Sequence, residues 1–463
     1  MAGDGMTGDR RAAIAALSAR FGDRVSTAAA IRDQHGHGES WHPTALPDAV
    51  FFAASEAEVA DAVSICAAHR VPIVAFGAGT SVEGQVQAVQ GGVSIDLSGM
   101  KRIIAVRPDD MDCTVEPGVT RVELNDFIRD QGLFFPVDPA GEATFGGMAS
   151  TRASGTNAVR YGTMKDMVLS LRAVLPDGSI LRTGQRAKKS SAGYDLTRLF
   201  IGAEGTLGII TELNLKLAGI PEQVSAATCS FPDMERAVRT VVEILQCGIA
   251  MSRIEVADEV QLKAINLYCK TAFPEQPMLF LEFAGNAKGV AAEIEIVRDL
   301  AQTNGGSDFR WAANEEERRA LWHARYMAVA SSKLLKPGAR GMSTDVCVPI
   351  SRLVECITAT KADLDRSSLP APLVGHVGDG NFHLYILFDP DDPREAAEAM
   401  RISEDLAARA IAMEGTCTGE HGVGLGKRKF MIEELGDPAV ATMRAIKAAL
   451  DPHNLMNPGK MLP

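Results

Sequence analysis

The run DPAGEATFGGMASTRASGTN, residues 138–157, reads unlike the chain on either side of it. Small residues and hydroxyls at this density do not build a core. They suit backbone N–H groups and hydroxyl donors wrapped around a charged, extended ligand such as a pyrophosphate. Asp138, Pro139, Gly141, Thr144, Gly147, Thr151, Arg152 and Ser154 are the positions expected to contact it.

Two flanking segments carry the same signature. Upstream, FGAGTSVEG at 76–84 follows a β-rich run. Phe76, Gly77, Ala78, Gly79, Thr80 and Ser81 there form a turn whose glycines let the backbone approach a phosphate. Gly77 and Gly79 look like half of a dinucleotide fingerprint. The third glycine falls at 84, however, and the next strand starts too soon for the long helix of a βαβ unit. That disfavours a nicotinamide dehydrogenase. Downstream, GAEGTLGII at 202–210 runs straight into a strand and adds Glu204, Gly205, Gly208 and Ile209. Taken together the three segments point to one large dinucleotide.

The surrounding pattern supplies the framework. A helix is expected from Asp9 to Phe21, then a polar loop whose His35 and His37 are read as solvated. Glu56 to His69 has helical periodicity, and strands are expected at 71–76, 92–97, 103–106, 112–115, 169–175 and 208–217. Asp177-Gly178 marks a hairpin. Beyond Pro221 a strand–helix–strand theme repeats, at 226–231 with 233–246 and at 278–283 with 291–303, which predicts an antiparallel sheet covered by helices. One long helix is expected from Asn314 to Lys333, and a mostly helical C-terminus after it. The resulting division is 1–40 as a helical lead-in, 41–219 and 220–415 as two α+β domains, and 416–463 as a C-terminal helical segment closing on the first of them.

Composition limits the function. A formal net charge of −12 and 5% aromatic residues argue against nucleic acid, which needs a dense basic face and stacking surfaces. The nearest basic patch, Arg186 to Lys189, reads as a solvated loop. No apolar run is long enough for a membrane span, and Met1 to Arg11 lacks the apolar stretch of a secretory signal. Eight scattered cysteines fit reduced thiols, so the cytoplasm is the expected compartment, with peripheral attachment to the inner membrane left open.

The densest chemistry lies in HVGDGNFH, residues 376–383. Residues seven apart on one strand face opposite sides, and the glycines would break a helix. A turn between two strands brings His376 and His383 to one point. TCTGEHGVG at 416–424 is a second Gly-flanked loop, carrying Glu420 and His421. Two histidines and a carboxylate form a common site for a divalent cation with open positions for substrate. Asp379 reads as a partner orienting a histidine, and Cys417 as a small packed residue.

These segments resemble a known family. Residues 75–81, 138–157 and 204–210 look like the FAD-binding half of flavoproteins of the vanillyl-alcohol-oxidase/PCMH type. The resemblance implies a two-part FAD-binding domain plus an antiparallel-sheet substrate (cap) domain, an α+β architecture. It adds Asn457 to the FAD contacts, and Thr80 where some relatives carry a covalently bonding histidine, so the FAD is expected to be non-covalent. HVGDGNxH and GEHG resemble the C-terminal domain of D-lactate and D-2-hydroxyglutarate dehydrogenases. By that resemblance His376, His383 and Glu420 would hold zinc or manganese, His421 would be the base and Arg325 would meet the substrate carboxylate. The resemblance places a lysine of the hydroxyglutarate enzymes at Ser343, so its absence favours a small monocarboxylate, although Arg340 could supply part of that charge. A D-2-hydroxy acid dehydrogenase is therefore expected, passing electrons to a quinone, a cytochrome or an electron-transfer flavoprotein. The sequence is compatible with a homodimer. The alternatives are a D-2-hydroxyglutarate or glycolate dehydrogenase, an oxidase, or a non-catalytic flavin-binding subunit of a glycolate-oxidase-like complex.

Overall fold

A computed structural model describes residues 8–312 and 314–463. The first seven residues of the expected lead-in lie outside them. The chain divides into two compact units, one of residues 1–154, 162–220 and 420–463, the other of 155–161 and 221–419. The short piece 155–161, read from sequence with the dinucleotide-binding half, thus packs with the second unit.

The described residues of the first unit hold two larger sheets and a two-stranded pair, Leu133–Phe134 with Ala218–Gly219. One has the strand order Val25–Ser26, Ala49–Phe52, Val93–Asp96, Ile73–Phe76, and its last three strands run parallel. The other is antiparallel, in the order Ile103–Arg107, Asp112–Val115, Ile209–Lys216, Val168–Val174, Ile180–Arg182. The helix Glu56–Ala68 starts where the Ser55 side chain accepts from the Glu58 N–H, and it buries Val59, Ala62, Val63 and Cys66. Glu56 at its first turn is held by Arg172 and Thr211 of the antiparallel sheet, which ties the two sheets together. The turn at Asp177-Gly178 closes a hairpin as expected, with Gly178 at φ +82°.

The second unit is built on an antiparallel sheet. Its strands run in the order Ser307–Trp311, Gln223–Ser230, Met278–Gly285, Arg253–Ala257, Leu373–Gly375, Asn381–Phe388, Arg340–Ser343, with Val346–Cys347 also pairing to Asn381–Phe388. The helices Met234–Gln246 and Ala287–Thr303 begin at the caps Asp233 and Asn286. This sheet-and-helix pattern is the α+β arrangement expected from the sequence.

Two local expectations need correction. The helix from Asn314 ends at Tyr326, turns at Met327 and resumes only as Ala328–Ser332. Buried side chains take the Ala328 carbonyl: Gln261 Nε2 at 3.2 Å, Ser331 Oγ at 2.9 Å and Ser332 Oγ at 2.7 Å. His35 is buried rather than solvated, with Nδ1 on the Ile31 carbonyl and Nε2 on Asp96 at 2.9 Å; its neighbour His37 is exposed. Among the described residues no helix is long and apolar enough to cross a membrane, and all eight cysteines are free thiols.

Candidate active site

Within the first unit the three glycine-rich segments come together. A Cβ at Gly77 would lie 2.4 Å from Thr144 Oγ1, so the first and second segments touch only because residue 77 has no side chain. Thr144 is itself engaged, its side chain accepting from the Gly147 N–H to start the helix Phe145–Thr151. The second segment meets the third through Gly202 N–H to the Ala149 carbonyl and Glu204 N–H to the Ser150 carbonyl, both 2.9 Å, and through Arg152 to the Ile201 carbonyl. Arg152, Glu204 and Gly205 all have positive φ. Asn457 closes the group, with Nδ2 on the carbonyls of Gln85 and Glu204 and its own N–H on Ile73.

Such a cradle fits a dinucleotide. Its walls are glycine backbone and hydroxyl groups, and Ser81 Oγ is shut off from solvent with no hydrogen-bond partner among the described residues. Phe76 and Asp138 are buried, whereas Ala78 is exposed and Pro139, Gly79, Thr80, Thr151 and Ser154 are partly exposed. Three expected contacts have other surroundings. Gly141 lies exposed with open space about it, Gly208 packs on the Val174 carbonyl, and the Ile209 side chain is in the core between the sheets.

In the second unit HVGDGNFH is the expected turn between two strands, Leu373–Gly375 and Asn381–Phe388. The two imidazoles meet edge to face with centroids 5.4 Å apart, and each offers a ring nitrogen within 4.8 Å of the other's. His383 Nδ1 donates to the Thr344 carbonyl at 3.0 Å. A carbonyl only accepts, so the neutral ring carries its proton on Nδ1 and its lone pair on Nε2. His376 Nδ1 donates to Glu255 Oε1 at 2.7 Å, and the other oxygen of Glu255 accepts from Arg325 Nη2 at 2.5 Å. With Glu255 accepting from both neighbours, the same tautomer is set in His376. Two imidazoles locked with outward Nε2 lone pairs are the donor set of a borderline divalent cation, and oriented carboxylate or carbonyl partners behind them are the usual support.

Residues that sequence reading missed do the orienting. Glu255, not Asp379, is the carboxylate on His376, and Asp379 lies exposed at the turn. Asp345 holds Asn381 Nδ2 and Thr418 Oγ1, both at 2.8 Å, and sits 3.6 Å from His383 Nδ1. The signal for Glu255 was present, a lone acid in the apolar strand Arg253–Ala257. Arg325 is buried on Glu255, its Nε buried with no hydrogen bond among the described residues, while His323 is exposed. Cys417 is buried as expected.

Glu420 and His421 open the returning segment of the first unit, their side chains 4.0 Å apart. The turn they start is bound to buried Glu204, which accepts from the Val423 and Gly424 N–H groups at 2.6 and 2.9 Å. Burial pushes the Glu204 carboxyl up to about 7, and the nearby Glu83 adds to the rise. Burial likewise brings the Lys460 ammonium down to about 8.

Comparisons with known proteins agree with these features. A family described as FAD binding domain matches residues 47–184, and one described as FAD linked oxidases, C-terminal domain, matches 220–461. The chain is 51% identical over 441 residues to "Probable D-lactate dehydrogenase, mitochondrial" of Danio rerio, covering 95% of this chain and 89% of that one. It is 46% identical over 452 residues to "D-lactate dehydrogenase [cytochrome], mitochondrial" of Arabidopsis thaliana, covering 97% and 80%. "Glycolate oxidase subunit GlcD" of Bacillus subtilis is 33% identical over 420 residues, covering 90% and 89%. Among solved structures, p-cresol methylhydroxylase with substrate bound shares the fold, with a TM-score of 0.81 at 19% identity, covering 98% and 97%.

Proposed function

The chain belongs to the family of FAD-linked oxidases in which the D-lactate dehydrogenases fall, and from that premise we propose that it oxidises D-lactate, or a similarly small D-2-hydroxy monocarboxylate, with the help of a divalent cation. It is an FAD-dependent oxidoreductase. The observation that carries the finer reading is the pair His376 and His383, both with Nδ1 engaged from behind.

Glu420 is proposed as the third ligand. Gly419, its chain neighbour, sits so close to Asn381 that a Cβ there would lie 2.3 Å from the amide nitrogen. His376, His383 and Glu420 would hold zinc or manganese. The chemistry supplied by FAD, when bound, is acceptance of the C2 hydrogen with its two electrons, and that of the cation is polarisation of the hydroxyl. His421 takes the hydroxyl proton, histidine being the usual side chain for general-base work. Arg325, already paired with Glu255, has its remaining N–H donors to direct at a carboxylate. Ser343 is neutral and Arg340 is exposed, which supports a monocarboxylate. A cytochrome is the proposed electron acceptor, after the name of the Arabidopsis relative.

Anaerobic bleaching of the bound flavin tests this reading. D-lactate should bleach faster than L-lactate, glycolate or D-2-hydroxyglutarate, and chelation or His383→Ala should abolish bleaching while the flavin stays bound. Full bleaching after both treatments would remove the cation from the reading. Fastest bleaching by glycolate would favour the second reading, a glycolate dehydrogenase, to which the Bacillus relative points.

A further inference from the structure

Three buried side chains of the first unit hold the turn that carries His421. Gln85 Nε2 donates to the His421 carbonyl at 2.9 Å. Glu204 accepts two peptide N–H groups of the same turn, Val423 on one oxygen and Gly424 on the other. Asn457 Nδ2 donates to the carbonyls of both Gln85 and Glu204, at 3.0 and 2.8 Å, so neither can shift without the other. The fit leaves no slack: a Cβ at Gly422, where φ is +82°, would lie 2.5 Å from Glu204 Oε1 and 2.9 Å from Gln85 Nε2. Leu425 continues the attachment, its N–H on the Glu83 carbonyl at 2.7 Å. A buried carboxyl group is costly unless both oxygens are hydrogen-bonded, and here both are used on one turn of backbone.

We propose that Glu204, with Gln85 and Asn457, forms a positioning device for His421, a clamp that fixes the direction of its imidazole and acts on the reaction through it rather than through flavin binding. The inference rests on His421 being the base. Peptide groups 421–424 are locked from both sides, so the imidazole starts from a fixed Cα–Cβ vector. Displacing a catalytic group by about 1 Å lowers rates by about 100-fold, which is the scale on which such a clamp matters.

The test is a double-mutant cycle on the flavin-loaded protein, reading the anaerobic rate of flavin reduction by D-lactate. Glutamine offers one acceptor where the turn presents two N–H groups. Glu204→Gln should therefore slow reduction by about 10- to 100-fold, with the half-saturating D-lactate concentration little changed. Flavin content should equal that of the wild type, and amide exchange across residues 421–425 should accelerate. Because the clamp works through His421, adding E204Q to His421→Asn should slow reduction by no more than about threefold beyond H421N alone. An E204Q that reduces at the wild-type rate, or whose loss multiplies in full with that of H421N, overturns the clamp and leaves the base standing. An H421N that reduces at the wild-type rate overturns the base, and with it the clamp. Should E204Q fail to fold or to retain flavin, Gln85→Met, which removes the donor to the His421 carbonyl together with the acceptor of the Glu83 N–H, decides the matter in the same cycle.

Discussion

Replacing Glu255 by glutamine keeps the side chain's shape and removes the charge between His376 and Arg325. Glu255 is 1% exposed and Arg325 6%, so neither can turn to water once the pair is broken. Glutamine has a single carbonyl oxygen for two donors, and its NH2 group must face the guanidinium or the His376 Nδ1–H. Leaving one partner of a buried ion pair uncompensated costs about 3–5 kcal/mol. For a unit of roughly 200 residues each kcal/mol moves the midpoint by about 2–4 °C, so its transition should fall by about 6–20 °C. Calorimetry on E255Q, Arg325→Met and the double variant measures this directly. The double variant should recover much of the loss, because it buries no unpaired guanidinium. A second readout tests the proposed cation site: in a zinc or manganese titration, loss of the acceptor behind His376 should weaken binding by about 10- to 100-fold relative to the wild type. An E255Q midpoint within about 2 °C of the wild type, with no recovery in the double variant, would refute the reasoning.

Two further predictions follow from the first unit. With the Glu204 carboxyl raised to about 7 from its ordinary 4.5, the folded protein keeps a proton there that the unfolded chain has lost. Stability should therefore fall as pH rises through that window, by about 3 kcal/mol in all, and the midpoint of E204Q minus that of the wild type should grow from pH 5 to pH 8; a gap independent of pH would contradict the buried acid. Gly77→Val places a branched side chain where even a Cβ meets Thr144 Oγ1 at 2.4 Å, so the purified variant should have lost most of its flavin absorbance, and full occupancy would mean the two segments do not form the cradle.

Much of this molecule is legible in its sequence, because the signals are local. Glycines that permit positive φ mark the three dinucleotide segments, and the glycines within HVGDGNFH exclude a helix and leave a turn between strands. Apolar periodicity places most of the helices and strands within a residue or two of where they fold. What tertiary structure alone decided is partnership. Glu255 lies 121 residues before His376, 70 before Arg325, and only the packing of its strand between Met278–Gly285 and Leu373–Gly375 makes it their common counter-charge. Likewise His35 is buried on Asp96, Gln261 meets the Ala328 carbonyl across 67 residues, and Gln85 reaches His421 across 336. A window of sequence records what each residue can do alone; which donor satisfies which buried acceptor depends on the folded path of the whole chain.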